Sequence, residues 1–212
     1  MMDHSPEALQ RYYDTRLADH GDTAQGAGWP NEADRQTRFQ VMRALAPEGG
    51  MKDLCDLACG TGAFLDHLTA AGQPPRRYLG LDISDSAITA AQAKHDPAQF
   101  QRHDILRDPA PGSFDYVVAN GLFTVKDSLS HEEMWAFLRA TTTAMWGMTR
   151  VGMAFNVMSA VVDWQRDDLF HVESDALLRW LYGLAGRRVI LRADYDLYEY
   201  TAYVYRAPVS ER

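Results

Sequence analysis

Short apolar runs alternate with longer amphipathic stretches along most of this chain, a rhythm that predicts β-α units built on a parallel sheet. The strand candidates are "KDLCDL" (52–57), "RYLGL" (77–81), "QFQRH" (99–103), "DYVVA" (115–119), "RVGMAFNV" (150–157), "RRVILRA" (187–193) and "EYTAYVYR" (199–206). Helix-like stretches lie between most of them. Residues 84–95 open on Ser84 as an N-cap, and the stretch "SHEEMWAFLRATTTAMWGM" from Ser130 places Glu133 at the capping-box position. Further helices are expected over 32–46 and 174–184. The last two strands are joined by the short "DYDL" stretch, a link of hairpin length that forces them antiparallel, whereas the earlier gaps have room for crossovers. The expected sheet is mostly parallel and ends in an antiparallel hairpin.

The length of 212 residues suits one domain with a full core, and no internal repeat is visible. A net charge of −8 without a Lys/Arg-rich face argues against nucleic acid as a partner and makes a small molecule the default. No apolar run approaches the roughly 20 residues of a membrane span. The start "MMDHSPEALQ" has no signal-peptide core, so a soluble, cytoplasmic protein without membrane contact is expected. Cys55 and Cys59 lie too close together for a disulfide framework, and no His/Cys set shows zinc spacing. Reduced cysteines, Cys55 in the core and no metal are therefore expected.

The stretch 54–68, "LCDLACGTGAFLDHL", joins the first strand to a helix through a small-residue turn. Gly60 and Gly62 allow positive φ and close backbone approach, and the helix N-terminus offers free N–H groups to an anionic or carboxylate-bearing ligand. Two cofactor classes compete for such a turn. The dinucleotide fingerprint wants a third glycine where Leu65 stands, and Asp56 would oppose a pyrophosphate. The same carboxylate suits the ammonium end of S-adenosylmethionine (SAM). Asp82, closing the second strand 20 residues after Gly62, can take both ribose hydroxyls.

With "DLACGTG" followed at this distance by "LGLDIS", the sequence resembles the class I SAM-dependent methyltransferases over residues 50–120. The resemblance implies a Rossmann-like α/β fold: seven strands ordered 3-2-1-4-5-7-6, the last antiparallel, with helices on both faces. It implies cofactor contacts from the loop 56–62, which contains Asp56, Ala58, Cys59, Gly60 and Gly62, and from Asp82 with Ile83. It further implies that Asp104 meets the adenine amino group while Ile105 packs on the ring, with S-adenosylhomocysteine (SAH) as product. Ala58 departs from the family, where many members carry glycine. The pieces "HGDTAQGAGWPNEADRQTRF", "NGLFTVK", "AFNVMS", "RDDLF" and "DYDLYEYTAYVYR" look like a group of small bacterial methyltransferases. Where such relatives tend to carry His before "DY", this chain has Ala193. His103 reads as an edge or surface residue.

"NGLFTVK" (120–126) follows the fourth strand at the carboxyl edge of the sheet, where open α/β folds bind ligands. Asn120 and Gly121 are expected to line the cofactor, and Phe123 faces either the sulfonium or the core. Residues 1–49 form a helical extension expected to close over a 50–212 domain as a lid, one compact unit overall. Tyr13, Trp29 and Arg38 are its cofactor-site candidates, Arg38 toward a carboxylate; the alternative is that the aromatics only staple the extension down. The insert after the fifth strand offers Trp164, Arg166, Asp168 and Phe170 as a substrate wall. Catalytic candidates are Asn156 at the end of that strand, Asp168 and His171 as bases for a hydroxyl nucleophile, and Tyr195 in the hairpin link; an amine or thioether acceptor needs no base.

These residues predict methyl transfer from SAM to a small polar molecule by in-line displacement, by a monomer or homodimer. The rival use of the same cofactor folds its own amine back to make a four-membered imino acid of the azetidine-2-carboxylate type, releasing methylthioadenosine. A dehydrogenase is disfavoured by Leu65 and Asp56, and a non-catalytic SAM-binding module by the elaborate substrate wall.

Overall fold

The computed structural model describes residues 7–46 and 49–207. Two helices come first, α1 (Glu7–His20) and α2 (Glu32–Arg43). The β-α units follow: β1 (Asp53–Leu57), α3 (Ala63–Ala70), β2 (Arg77–Asp82), α4 (Asp85–Lys94), β3 (Phe100–Arg102) and β4 (Phe114–Phe123). The chain continues through α5 (His131–Met148), β5 (Thr149–Ser159), β6 (His171–Val172), α6 (Ser174–Ala185), β7 (Val189–Arg192) and β8 (Glu199–Tyr205). The sheet runs β3-β2-β1-β4-β5-β8-β7, with β6 a two-residue addition pairing Met158 and Ser159 of β5. Leaving β6 aside, this is the expected order. The β5–β8 and β7–β8 pairs are antiparallel and the other pairs parallel, so β8 is the one reversed strand of this path.

Alternation along the strands builds two apolar layers. Cys55, Val117, Phe155 and Ala202 face a cluster shared with Leu138 and Met145 of α5 and Leu177 and Leu181 of α6. Leu54, Val118, Ala154 and Tyr203 face the other cluster, with Phe39 and Met42 of α2, Phe64 and Leu68 of α3 and Ile88 of α4. Residues 32–46 are thus part of the core: the Tyr203 hydroxyl donates to the Val41 carbonyl at 2.6 Å and Tyr205 to that of Leu45 at 3.2 Å. Both cysteines are free and buried.

Local signals account for the helix starts. Ser84 accepts the Ala87 N–H, and the capping box of Ser130 and Glu133 is complete. Element bounds shift by a residue or two in several places, and some differences are larger. The helix expected over 32–46 ends at Arg43, and α1 precedes it although its sequence buries only Leu9. Strand β4 runs to Phe123 instead of ending at 119, but its pairing with β5 shifts register between Ala119 and Phe123. Such an irregularity leaves Asn120, Gly121 and Leu122 outside the regular ladder at the carboxyl edge of the sheet. Residues 1–6 and 47–48 of the expected extension lie outside the described residues.

Candidate active site

At the carboxyl ends of β1, β2 and β4 lies a cleft of about 170 Å³, covered by α1 and the segment after it. The turn that forms its floor needs left-handed backbone: Ala58 has φ +56°, Gly60 +54° and Gly62 +81°. Ala58 therefore stands where glycine is free of strain, at a cost of about 1 kcal/mol. Gly62 is required from behind as well, since a Cβ there would come within 2.9 Å of the Phe100 ring and 3.0 Å of His95.

Asp82 ties the turn to the second strand. Its carboxylate accepts the Gly60 N–H at 2.9 Å and the Ser84 N–H at 3.0 Å. Burial raises its pKa, and the two amides oppose that shift. An ionised carboxylate has about four acceptor positions, so capacity for two hydroxyls remains. Asp56 is only 2% exposed and accepts the Tyr78 hydroxyl at 2.8 Å; burial pushes its pKa up to about 7, with the Tyr78 bond lowering it. Across the cleft the Asn120 side-chain oxygen is buried without a hydrogen-bond partner. Two carboxylates and an orphaned amide oxygen form a set of acceptors suited to a cation with a diol, and the residues present fit a SAM-like ligand.

Asp104 and Ile105 line the same cleft, and the Leu106 N–H donates to Asp104 at 3.0 Å. His103 lines it too: it is buried, not an edge residue, because the chain turns inward directly after β3. Of the remaining expected contacts, Tyr13, Trp29, Ala58, Cys59, Gly60, Ile83, Asn120 and Gly121 line the cleft, whereas Gly62 stays behind the turn. The Tyr13 hydroxyl donates to the Gly121 carbonyl at 3.2 Å, and burial pushes that phenol far up, keeping it a neutral donor.

Several candidates stand elsewhere. Phe123 is fully buried against Phe137 and Phe155, resolving its two options in favour of the core. Arg38 does reach a carboxylate, but it is Glu199, at 3.0 Å, and its guanidinium lies 4.1 Å from the centre of the Trp29 ring. Arg35, one turn earlier on α2, lines the cleft instead. Asn156 is buried beneath the cleft, accepting the Gly121 N–H at 2.7 Å.

The substrate wall and the bases need the same correction. Asp168 is bound to neighbouring Arg166, and the His171 ring is held by the Ser159 carbonyl at 2.7 Å. Phe170 is core, while Trp164 packs edge-on to exposed Tyr198. The Tyr195 hydroxyl pairs with Thr201 at 3.0 Å, and burial and nearby Glu199 push its pKa far up, which unfits it as a base. None of the four catalytic candidates lines the cleft. The insert folds back on β5 through β6 and on the segment after β4 through the Val125–Leu169 bridge, which directs its side chains away.

Residues not foreseen at the cleft include Leu9, Gln10, Leu17, Asp22, Arg35 and Leu122. Asp22 binds Lys94 at 2.7 Å and also Thr61, fastening the segment after α1 to the turn. Glu199 shows in the sequence only as a charge at the head of the last strand run. Among the described residues no group of His, Cys, Asp or Glu could hold a metal ion, and no helix is long and apolar enough to cross a membrane.

A family model described as a methyltransferase domain matches residues 54–143. A Mycobacterium tuberculosis protein named as a methyltransferase, Rv1506c, is 32% identical over 154 residues, covering 72% of this chain and 92% of its own. In fold, the chain resembles the SAH-bound magnesium protoporphyrin IX methyltransferase of Synechocystis (TM-score 0.68, 15% identity, 96% of this chain and 100% of that one). It also resembles SAM-bound CalS10, an amino pentose methyltransferase from Micromonospora echinaspora (TM-score 0.57, 16% identity, 92% and 97% covered).

Proposed function

Because the chain belongs to the class I SAM-dependent methyltransferases, we propose that this cleft holds the methyl donor and that the acceptor is a small polar molecule. When bound, SAM supplies a methyl group on a cationic sulfur, transferred by in-line displacement to leave SAH. The observation that carries the site assignment is the acceptor set: Asp56, Asp82 and the unpartnered oxygen of Asn120 in one covered cleft. Asp82 takes the ribose hydroxyls. Asp56 and Asn120 take the ammonium, and the amides of the 58–62 turn and the start of α3 face the carboxylate. Asp104 and Ile105 take the adenine edge and face.

Of the expected extension, residues 7–31 act as the lid, with Tyr13 and Trp29 excluding water from the point of transfer. Orientation in a dry cleft supplies most of the rate, and no side chain is asked to act as base. The acceptor class is supported by the cover itself, which leaves room for a small molecule, and by the exposed cleft residues Asp22 and Thr23 beside Arg35. CalS10 acts on an amino sugar by its description, which makes amino sugars the first acceptors to try. The ring-closing alternative has no support among these relatives, whose names describe methyl transfer.

The test is titration calorimetry of SAM and SAH, followed by release of SAH with a panel of amino sugars and small amines. Asp82→Ala is expected to weaken SAH binding roughly 10–100-fold, the value of one or two hydrogen bonds to a charged group. A wild-type protein that binds neither compound would overturn the assignment.

A further inference from the structure

We propose that Glu199 is a positioning residue for the donor site, holding Gly121 and Trp29 in place from beneath the cleft; this rests on the site assignment above. Glu199 opens β8 and is 2% exposed. One carboxylate oxygen accepts the Asn156 side-chain N–H at 3.2 Å and the other accepts from Arg38 at 3.0 Å. Neither Glu199, Asn156 nor Arg38 lines the cleft, but each branch ends on a residue that does. Through Asn156 it reaches the Gly121 N–H, 2.7 Å away. Through Arg38 it reaches the Trp29 ring.

The two branches meet again above. A Cβ on Gly121 would lie 2.5 Å from the Trp29 ring, so the indole rests directly on this glycine, whose φ is +89°. The Gly121 carbonyl accepts the hydroxyls of Tyr13 at 3.2 Å and Thr124 at 2.9 Å. The backbone here has left the β4–β5 ladder, so its N–H depends on Asn156 instead of a neighbouring strand. Asn156 in turn has its orientation set by Glu199. A carboxylate is the group this junction needs, because both neighbours donate to it. Glutamine offers one acceptor and one donor, so either Asn156 or Arg38 would meet a like group.

The test measures SAH affinity and amide hydrogen exchange in Glu199→Gln, Asn156→Ala and Asp82→Ala. Asn156→Ala breaks one branch while leaving the Arg38–Glu199 pair intact, and so serves if Glu199→Gln does not fold. Expected is a roughly tenfold weaker SAH affinity in either variant. Exchange at residues 120–124 should be faster without ligand, while β1 remains protected; a merely structural loss would loosen both. If the wild type and Asp82→Ala behave as the site assignment requires, yet a folded Glu199→Gln or Asn156→Ala binds SAH as tightly as wild type with unchanged exchange at 120–124, the positioning role is overturned. If the wild type does not bind SAH at all, it is the site assignment that fails.

Discussion

Asp56 is a buried acid facing a proposed cation. With its pKa raised to about 7 by burial, the ligand-free protein takes up a proton there as pH falls through neutrality. The folded state then holds more protons than the unfolded chain between the ordinary carboxylate range and about pH 7, so this group's contribution to stability declines as pH rises across that window. Ligand binding has the opposite slope, because an ammonium beside Asp56 favours the carboxylate. SAH affinity is expected to rise roughly tenfold from pH 6 to pH 8, and Asp56→Asn to flatten that dependence, as read by calorimetry at each pH. Asp56 and Asp82 were legible because a strand end fixes where a side chain points and their spacing is local. Arg38 and Phe123 were not. Their partners, Glu199 for one and Phe137 and Phe155 for the other, are brought together only by the folded sheet.

The capped helices α4 and α5 are written in adjacent residues, Ser84 with Ala87 and Ser130 with Glu133, which makes both legible in the sequence. Helix α1 has no apolar stripe to announce it, burying only Leu9, and its hold on the molecule is polar. Asp14 accepts from the hydroxyls of Ser84 and Ser86 at the N-terminus of α4, where the helix dipole also favours a negative charge. Tyr13 of the helix and Asp22 just after it add further fastenings, and Glu7 lies 3.9 Å from Arg107. Asp14→Ala should therefore speed cleavage within residues 7–28 roughly 5–30-fold in limited proteolysis, with saturating SAH restoring much of the protection. The short β6 was equally invisible, since a two-residue strand leaves no period to read.

Across the molecule, the alternating strands sort side chains into two layers and place every glycine-rich or acidic turn of the cleft on one edge of the sheet. The antiparallel final pair follows from the shortness of its link, whereas the order of the others comes from resemblance, because crossover lengths alone permit several arrangements. A ligand confined to that edge stabilises the whole fold by mass action. At a hundredfold excess over its Kd, SAH should add about 2.7 kcal/mol, or roughly 5–10 °C in melting temperature, while NAD adds nothing. A shift with NAD and none with SAH would return the dehydrogenase reading.

The pairing of Arg38 with Glu199 spans 161 residues, and synthesis delivers its two ends at opposite times. Strand β8 slots between β5 and β7 after both have been made. Until it arrives, the ribosome-bound chain has the glycine turn, the acids and the helices of the cover, but Asn156 lacks its partner and Arg38 has an unneutralised charge. The nascent protein thus cannot acquire a finished donor site piecemeal. Arg38 and Asn156 gain their shared partner only when translation has passed Glu199, so the support beneath the cleft is completed long after its turns and helices have been made.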